Sequence, residues 1–202
     1  MARPIMFVAS ALIASAGMLC AAQEANRGRS IDPSNSRLVI HVSKSGLLSA
    51  FADNHEVEAP IAQGFIDDVA RQVEFSVESR RMKVLDPQLP ADKRQQVQER
   101  MLSPDVLDVA RFPQIRFEST DVQQAGPGRL LVRGQLSLHG VTRPVMVNVQ
   151  AADGRYIGNV SLKQRDYGIT PVTVGGGTVK VKDELKIEFD IRTAGQSSAA
   201  PR

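Results

Sequence analysis

Cysteine and aromatic residues are scarce in this chain of 202 residues, and each scarcity narrows its chemistry. Cys20 is the only cysteine, so the chain cannot form an internal disulfide. Tryptophan is absent and there are two tyrosines, too few for the aromatic girdles of a membrane-spanning barrel. The formal net charge is +3, which is too balanced to suggest a nucleic-acid partner.

Long apolar runs are also lacking, except at the N-terminus. There an uncharged, mainly apolar stretch over residues 5–19 follows Arg3 and precedes the small residues Ala21 and Ala22, as in a secretory signal. We expect residues 1–22 to be a cleaved signal peptide and the mature protein to be periplasmic and not membrane-spanning. Lipidation at Cys20 is the less favoured alternative, because the bulky Leu19 directly precedes it.

The remainder divides by composition into one domain and two flanks. Residues 23–35 are polar and are predicted to be a flexible lead-in. Residues 195–202, rich in Ser and Ala, are predicted to be a disordered tail. Between them, residues 36–194 form a single predicted domain without an internal repeat.

Strict alternation of apolar and charged residues marks the last strand of that domain. The apolar positions, which period two places on one face, are Val179, Val181, Leu185, Ile187, Phe189 and Ile191. Asp183 interrupts the series and predicts a bend or bulge. A slip of one residue would bury the charges, so the register is well specified.

Seven further strands are predicted, and turn sequences separate most of them. They are Arg37–Lys44, His55–Ile66, Gln72–Val84, Ile115–Gln124, Arg129–Leu138, Thr142–Ala151 and Tyr156–Gln164. Short links such as His139-Gly140 and Asp153-Gly154 favour antiparallel neighbours in sequence order. The predicted fold class is therefore all-β: eight antiparallel strands closed into a barrel that could hold one small ligand.

One charged segment interrupts the strands after the third. Residues 91–102 are predicted to be helical, with Val97 and Met101 on one face. Ser103, followed by Pro104 and Asp105, has the pattern of a second helix start. This second helix is predicted to stop at Phe112-Pro113.

Four stretches in order carry a resemblance to a known family: residues 103–119 (SPDVLDVARFPQIRFES), 134–145 (GQLSLHGVTRPV), 163–169 (KQRDYGI) and 183–187 (DELKI). Over residues 36–193 the chain resembles the YceI-like family. The resemblance implies a lipocalin-like barrel of eight strands with a helical insertion after the third. It also implies a bound polyisoprenoid, quinone-like lipid or fatty amide, and it carries over no catalytic residue and no cofactor. The first hairpin, residues 48–57, departs from the family pattern, which points to a subgroup with a different ligand.

Residues near the variable hairpin, the insertion and the Gly-rich loop at 175–177 are predicted to frame the barrel entrance. His55 is the candidate for a polar contact at the mouth, with a turn-stabilising role as the favoured alternative. Phe75 and Phe189 are predicted to fill the closed end. The predicted ligand-binding set is Phe51, His55, Phe65, Leu107, Phe112, Phe117 and Tyr167.

Other functions leave weaker marks on the sequence. A metal enzyme would need His41, His55 and His139, but no short ligand spacing links any pair of them. The Gly-x-Ser-x-Gly turn of a Ser-His-Asp hydrolase is absent. An outer-membrane barrel remains an alternative, because its strands also alternate between apolar and polar residues. We expect a non-enzymatic carrier or sequestering protein, without metal, whose homodimerisation stays open and whose pocket could equally serve in stress or antibiotic scavenging.

Overall fold

The computed structural model describes residues 28–45, 54–174 and 179–194. Twelve strands and one α-helix are present in this part of the chain. The helix α1 is Ala91–Leu102, and short 3₁₀ turns cover Ser79–Arg81 and Gln164–Tyr167. The strands are β1 Arg29–Ser30, β2 Arg37–Ser45, β3 His55–Glu58, β4 Ile61–Asp67, β5 Gln72–Glu78, β6 Lys83–Val84, β7 Gln114–Gln124, β8 Arg129–Leu138, β9 Val141–Ala152, β10 Arg155–Lys163, β11 Thr173–Val174 and β12 Val179–Arg192.

The sheet closes on itself because three long strands are each interrupted, so that their two halves can pair on opposite sides. β3 pairs with β2, whereas β4, two residues further along the chain, pairs with β5 on the opposite side. The order β4-β5-β7-β8-β9-β10-β12-β2-β3 therefore returns to the stretch from which it began. Counting β1–β2, β3–β4 and β5–β6 as one strand each, and β11 as a side hairpin, gives eight antiparallel strands, as predicted.

Tight turns set the register of the hairpins. His139 and Gly140 both have positive φ, 52° and 76°, and so do Asp153 and Gly154, at 49° and 76°. Two positive φ values in succession match the right-handed twist of the flanking strands. In β12 the register shifts between Val181 and Leu185, which confirms the bulge predicted at Asp183.

Two groups of buried apolar residues form the core, one towards each end of the barrel. We call the end with the turns at 68–71, 125–128 and 153–154 the hairpin end, and the end covered by α1 the helix end. The hairpin-end cluster contains Ile31, Ile61, Ile66, Phe117, Val122, Val132, Val147, Val149, Tyr156 and Ile191. The helix-end cluster contains Val57, Ala59, Val77, Met82, Val84, Met101, Leu107, Leu138, Tyr167 and Ile169.

Residues 28–35 correct the prediction of a flexible lead-in. Arg29–Ser30 forms β1, which pairs with β4. Ile31 is buried, donates its backbone N–H to the carbonyl of Gly64 at 2.9 Å and bridges to Thr193. The barrel thus begins at Arg29, before β2. A strand of two residues beside one apolar side chain is too short to show a period-two pattern.

The second predicted helix is also corrected. Residues 104–107 and 109–111 form turns, and Asp108 between them has a positive φ of 43°. The backbone N–H of Asp108 reaches back to the carbonyl of Ser103 at 2.9 Å, and its own carbonyl accepts from Arg111 and Phe112. The left-handed residue ends any continuous helix. Among the described residues, no helix is both long and apolar enough to cross a membrane.

Candidate ligand-binding cavity

A cavity of about 1330 Å³ occupies the interior of the barrel. Its lining extends from turn residues at the hairpin end to α1 at the helix end. Between these ends the walls are apolar side chains that point inward yet remain only half-buried, because they face open space rather than one another. Examples around the middle of the barrel are Leu136, Val145, Val160, Leu185 and Phe189.

Aromatic rings lie along the cavity wall, over glycines of neighbouring strands. A Cβ added at Gly134 would come within 2.5 Å of the Phe117 ring, and one at Gly158 within 2.5 Å of the Phe189 ring. Phe75 packs beside Phe117, with ring centroids 5.4 Å apart. Because glycine leaves room for these rings at the wall, they take up less of the lumen. Phe75 and Phe189, predicted to fill a closed end, instead line the cavity.

A polar network lies at the hairpin end of the lumen. Arg29 donates to the hydroxyl of Tyr156 at 2.8 Å, and that hydroxyl donates to the Asp68 carboxylate at 2.9 Å. Arg29 and Asp68 also form an ion pair. Tyr156 is only 7 % exposed, and burial together with the bond to Asp68 raises its pKa to about 12. Three strands or turns that are distant in sequence are thereby joined across this end.

Helix α1 packs its apolar face on the barrel, and one amide side chain adds two hydrogen bonds to the barrel backbone. The Gln98 side-chain carbonyl accepts from the backbone N–H of Val84 at 2.8 Å, and its NH₂ group donates to the carbonyl of Met82 at 2.8 Å. The amide thus continues the hydrogen-bonding edge of the short strand β6. Val97 and Met101, predicted to share a face, both line the cavity.

His55 and Asp86 form a pair at the helix end of the cavity. The Nδ1 atom of His55 lies 2.5 Å from Oδ2 of Asp86, and their side chains are 13 % and 4 % exposed. The other carboxylate oxygen accepts the backbone N–H of Glu56 at 2.8 Å. His55 itself lines the cavity. A buried carboxylate with both oxygens hydrogen-bonded holds the imidazole in a fixed orientation.

Three of the predicted ligand-binding residues line the cavity: His55, Leu107 and Phe117. Phe51 lies outside the described residues. Phe65 does not line the cavity, whereas the next residue, Ile66, does. Because successive side chains of a strand point to opposite faces, Phe65 lies on the outer face of β4.

Phe112 and Tyr167 pack beneath the β8–β9 turn rather than in the cavity. The Phe112 ring lies 4.5 Å from that of His139 and against Gly140. Tyr167 is 2 % exposed, and burial, followed by the charge of Asp166, raises its pKa. Its backbone carbonyl lies 3.2 Å from Nδ1 of His139. The sequence pattern placed both residues near the insertion and the long loop. It did not show that their side chains face away from the cavity.

The three histidines lie in separate places. His41 lies near the carboxylates of Glu56 and Glu188 and does not line the cavity, whereas His139 caps a turn. Within residues 28–45, 54–174 and 179–194, no three His, Cys, Asp or Glu side chains are grouped as metal ligands. Asp86, Gln98 and the Arg29–Tyr156–Asp68 network had no sequence signal, because each acts through a distant partner.

Comparison with known proteins agrees with the fold. A family model described as the YceI-like domain matches residues 30–193. The chain belongs to the YceI-like family. It is 33 % identical over 96 residues to a UPF0312 protein of Shewanella denitrificans, covering 43 % of this chain and 50 % of that protein. A UPF0312 protein of Vibrio cholerae is 31 % identical over 96 residues, covering 43 % and 49 %. The aligned part of the chain spans about half the length of these curated relatives.

Solved structures show the same YceI-like fold at low sequence identity. The crystal structure of Burkholderia cenocepacia BcnA matches with a TM-score of 0.63 and 18 % identity, covering 81 % of this chain and 99 % of that one. The YceI protein of Campylobacter jejuni matches with a TM-score of 0.50 and 11 % identity, covering 76 % and 85 %. At such identities the likeness concerns the fold, and the ligand has to be argued from this chain's own cavity.

Proposed function

We propose that this YceI-like protein binds a long-chain apolar ligand, of the polyisoprenoid, quinone-like or fatty amide class, inside its barrel and carries or sequesters it. The observation that supports the proposal most is the half-buried apolar wall around a cavity of about 1330 Å³. This volume exceeds the roughly 300–1,000 Å³ of common small-molecule pockets. The apolar side chains face inward, the opposite of an outer-membrane barrel.

The energetics favour a long chain over a short one. Each buried CH₂ group contributes about 0.8 kcal/mol, whereas association costs about 4–15 kcal/mol. A ligand of a few carbons therefore gains little, and one of about twenty carbons gains enough to bind tightly. An apolar lumen selects for chain length and leaves the head group to the polar residues at the two ends.

The remaining parts of the proposal concern setting rather than geometry. We propose that the protein acts without a metal or cofactor, is not an enzyme, and works in the periplasm after export. A carrier there would shield a chain that water does not dissolve. Its partners for loading and release, and any homodimer, are separate from the binding step.

A blocked lumen tests the proposal directly. Val160 on β10 faces the cavity, whereas Ile157 on the same strand is exposed. Val160→Trp should obstruct the lumen at mid-barrel and weaken binding of 1-hexadecanol, measured by native mass spectrometry. Ile157→Trp is the matched control and should bind as the original protein does. Equal binding by both variants, or none by the unmodified protein, would overturn the proposal.

A further inference from the structure

The pair of His55 and Asp86 places a polar atom at the helix end of a mainly apolar lumen, where Lys44, Lys93 and Arg100 also contribute to the lining. Nδ1 of the imidazole points to the buried Asp86 carboxylate at 2.5 Å. No hydrogen bond from Nε2 of His55 to another described residue is present, and this atom is not among the buried unpaired ones. His55 lines the cavity, and Nε2 is the nitrogen of its imidazole that Asp86 leaves for a ligand.

The carboxylate fixes which nitrogen carries the hydrogen. A carboxylate only accepts hydrogen bonds, so Nδ1 must donate to Asp86. In the neutral imidazole the hydrogen is then on Nδ1, and Nε2 is left as an acceptor. The carboxylate in turn is held by the backbone N–H of Glu56 at 2.8 Å. The backbone carbonyl of Asp86 also accepts the N–H of Leu89, at 3.1 Å, in the loop that leads to α1.

We propose that Nε2 of His55 accepts a hydrogen bond from the head group of the ligand, so that the barrel prefers chains ending in a neutral donor such as a hydroxyl. This inference rests on the proposed function, since it concerns the same cavity. An ionised terminal carboxylate has no hydrogen to donate to Nε2. The chain enters the lumen and its hydroxyl stays at the helix end.

Two chains that differ only in the donor test the idea. 1-Hexadecanol and 1-methoxyhexadecane have the same alkyl chain, but the ether oxygen only accepts. Offered together in mildly alkaline buffer and compared by native mass spectrometry, the alcohol should be bound about three- to tenfold in preference to the ether.

Asp86→Asn reverses the direction of the hydrogen bond without removing a side chain. The asparagine carbonyl can still accept from Glu56, while its NH₂ group donates to Nδ1 and moves the imidazole hydrogen to Nε2. Both the alcohol and the ether can accept from that hydrogen. The ratio of bound alcohol to bound ether should therefore fall to about one. The total amount of bound alkyl chain should stay the same.

His41→Gln is the matched control, because His41 does not line the cavity. It should keep the alcohol preference of the original protein. His55→Gln is a second variant for the case in which Asp86→Asn fails to fold. Because the glutamine amide is not held in the orientation of the imidazole, this variant should reduce the preference for the alcohol over the ether. If the unmodified protein binds both chains equally, this inference is wrong and the carrier proposal stands. If it binds neither chain, the carrier proposal itself fails.

Discussion

The two ends of the barrel differ in what closes them. At the hairpin end the strands turn back within a few residues, and Arg29, Asp68 and Tyr156 join across the opening by hydrogen bonds and an ion pair. At the helix end the chain between β6 and β7 forms α1 and a set of turns that pack apolar residues over the lumen. One end is held by polar contacts between strands, and the other by an added segment.

This difference indicates which end can open. Separating the hairpin end requires breaking the charged network and the sheet register together. Moving α1 requires breaking the two backbone-directed hydrogen bonds of Gln98, a longer one from Arg94 to the carbonyl of Asp86, and the apolar contacts of Val97 and Met101. Segments with few such bonds open at lower free energy than the sheet itself. We therefore expect the ligand to pass through the helix end.

The largest effect on stability should come from the helix-end cluster. Tyr167 is 2 % exposed and packs within it. Tyr167→Ala should lower the free energy of unfolding by about 3–5 kcal/mol, since it leaves a cavity where an aromatic ring was packed. Urea denaturation gives this value. Tyr167→Phe is the control and should cost far less, because it keeps the ring. Similar losses for both variants would show that the hydroxyl, not the ring, stabilises this end.

The polar network at the hairpin end should show itself in alkali. The pKa of Tyr156 is raised to about 12 by burial and by the bond to Asp68, whereas in the unfolded chain it is about 10. The folded state therefore holds this proton more tightly, and the resulting stability is present below pH 10 and is lost as pH rises through about 12. The loss should reach up to about 3 kcal/mol.

Chemical denaturation across that pH range measures the effect. Tyr156→Phe has no proton to lose, so its stability should decline less steeply between about pH 10 and pH 12. Tyr167→Phe removes the other tyrosine whose pKa is raised, and so separates the contribution of the helix end to the alkaline loss. Parallel curves for the original protein and Tyr156→Phe would mean that the network does not hold the hairpin end.

Gln98→Ala should weaken the attachment of α1. It removes two hydrogen bonds to the backbone of Met82 and Val84, at a cost of about 2 kcal/mol in unfolding free energy. It should also speed the release of bound 1-hexadecanol, measured by exchange into excess vesicles. Gln95→Ala is the matched control, since Gln95 on the same helix bonds only to the exposed Glu99. Unchanged release by Gln98→Ala would place the exit elsewhere.

Much of the fold follows from local sequence. The strands from Arg37 to Arg192 were predicted within one or two residues at most ends. The interruptions between β3 and β4 and between β5 and β6 were not predicted from the sequence. The site was harder, since Leu107 and Phe117 were predicted to line it but Phe65 and Phe112 were not separated from them. A pattern shows that a residue is apolar, but not always which side of a bent strand or turn it occupies.

The sequence by itself determined the alternation, the turns and the inward apolar face, because period two and turn chemistry act between neighbours in the chain. Only the tertiary structure decided that the interior is hollow, since this depends on how all eight strands curve and on where Gly134 and Gly158 let rings lie along the wall. It also brought together His55 and Asp86, 31 positions apart, and Asp68 and Tyr156, 88 positions apart. Contacts at such separations arise from barrel closure, which no local pattern encodes.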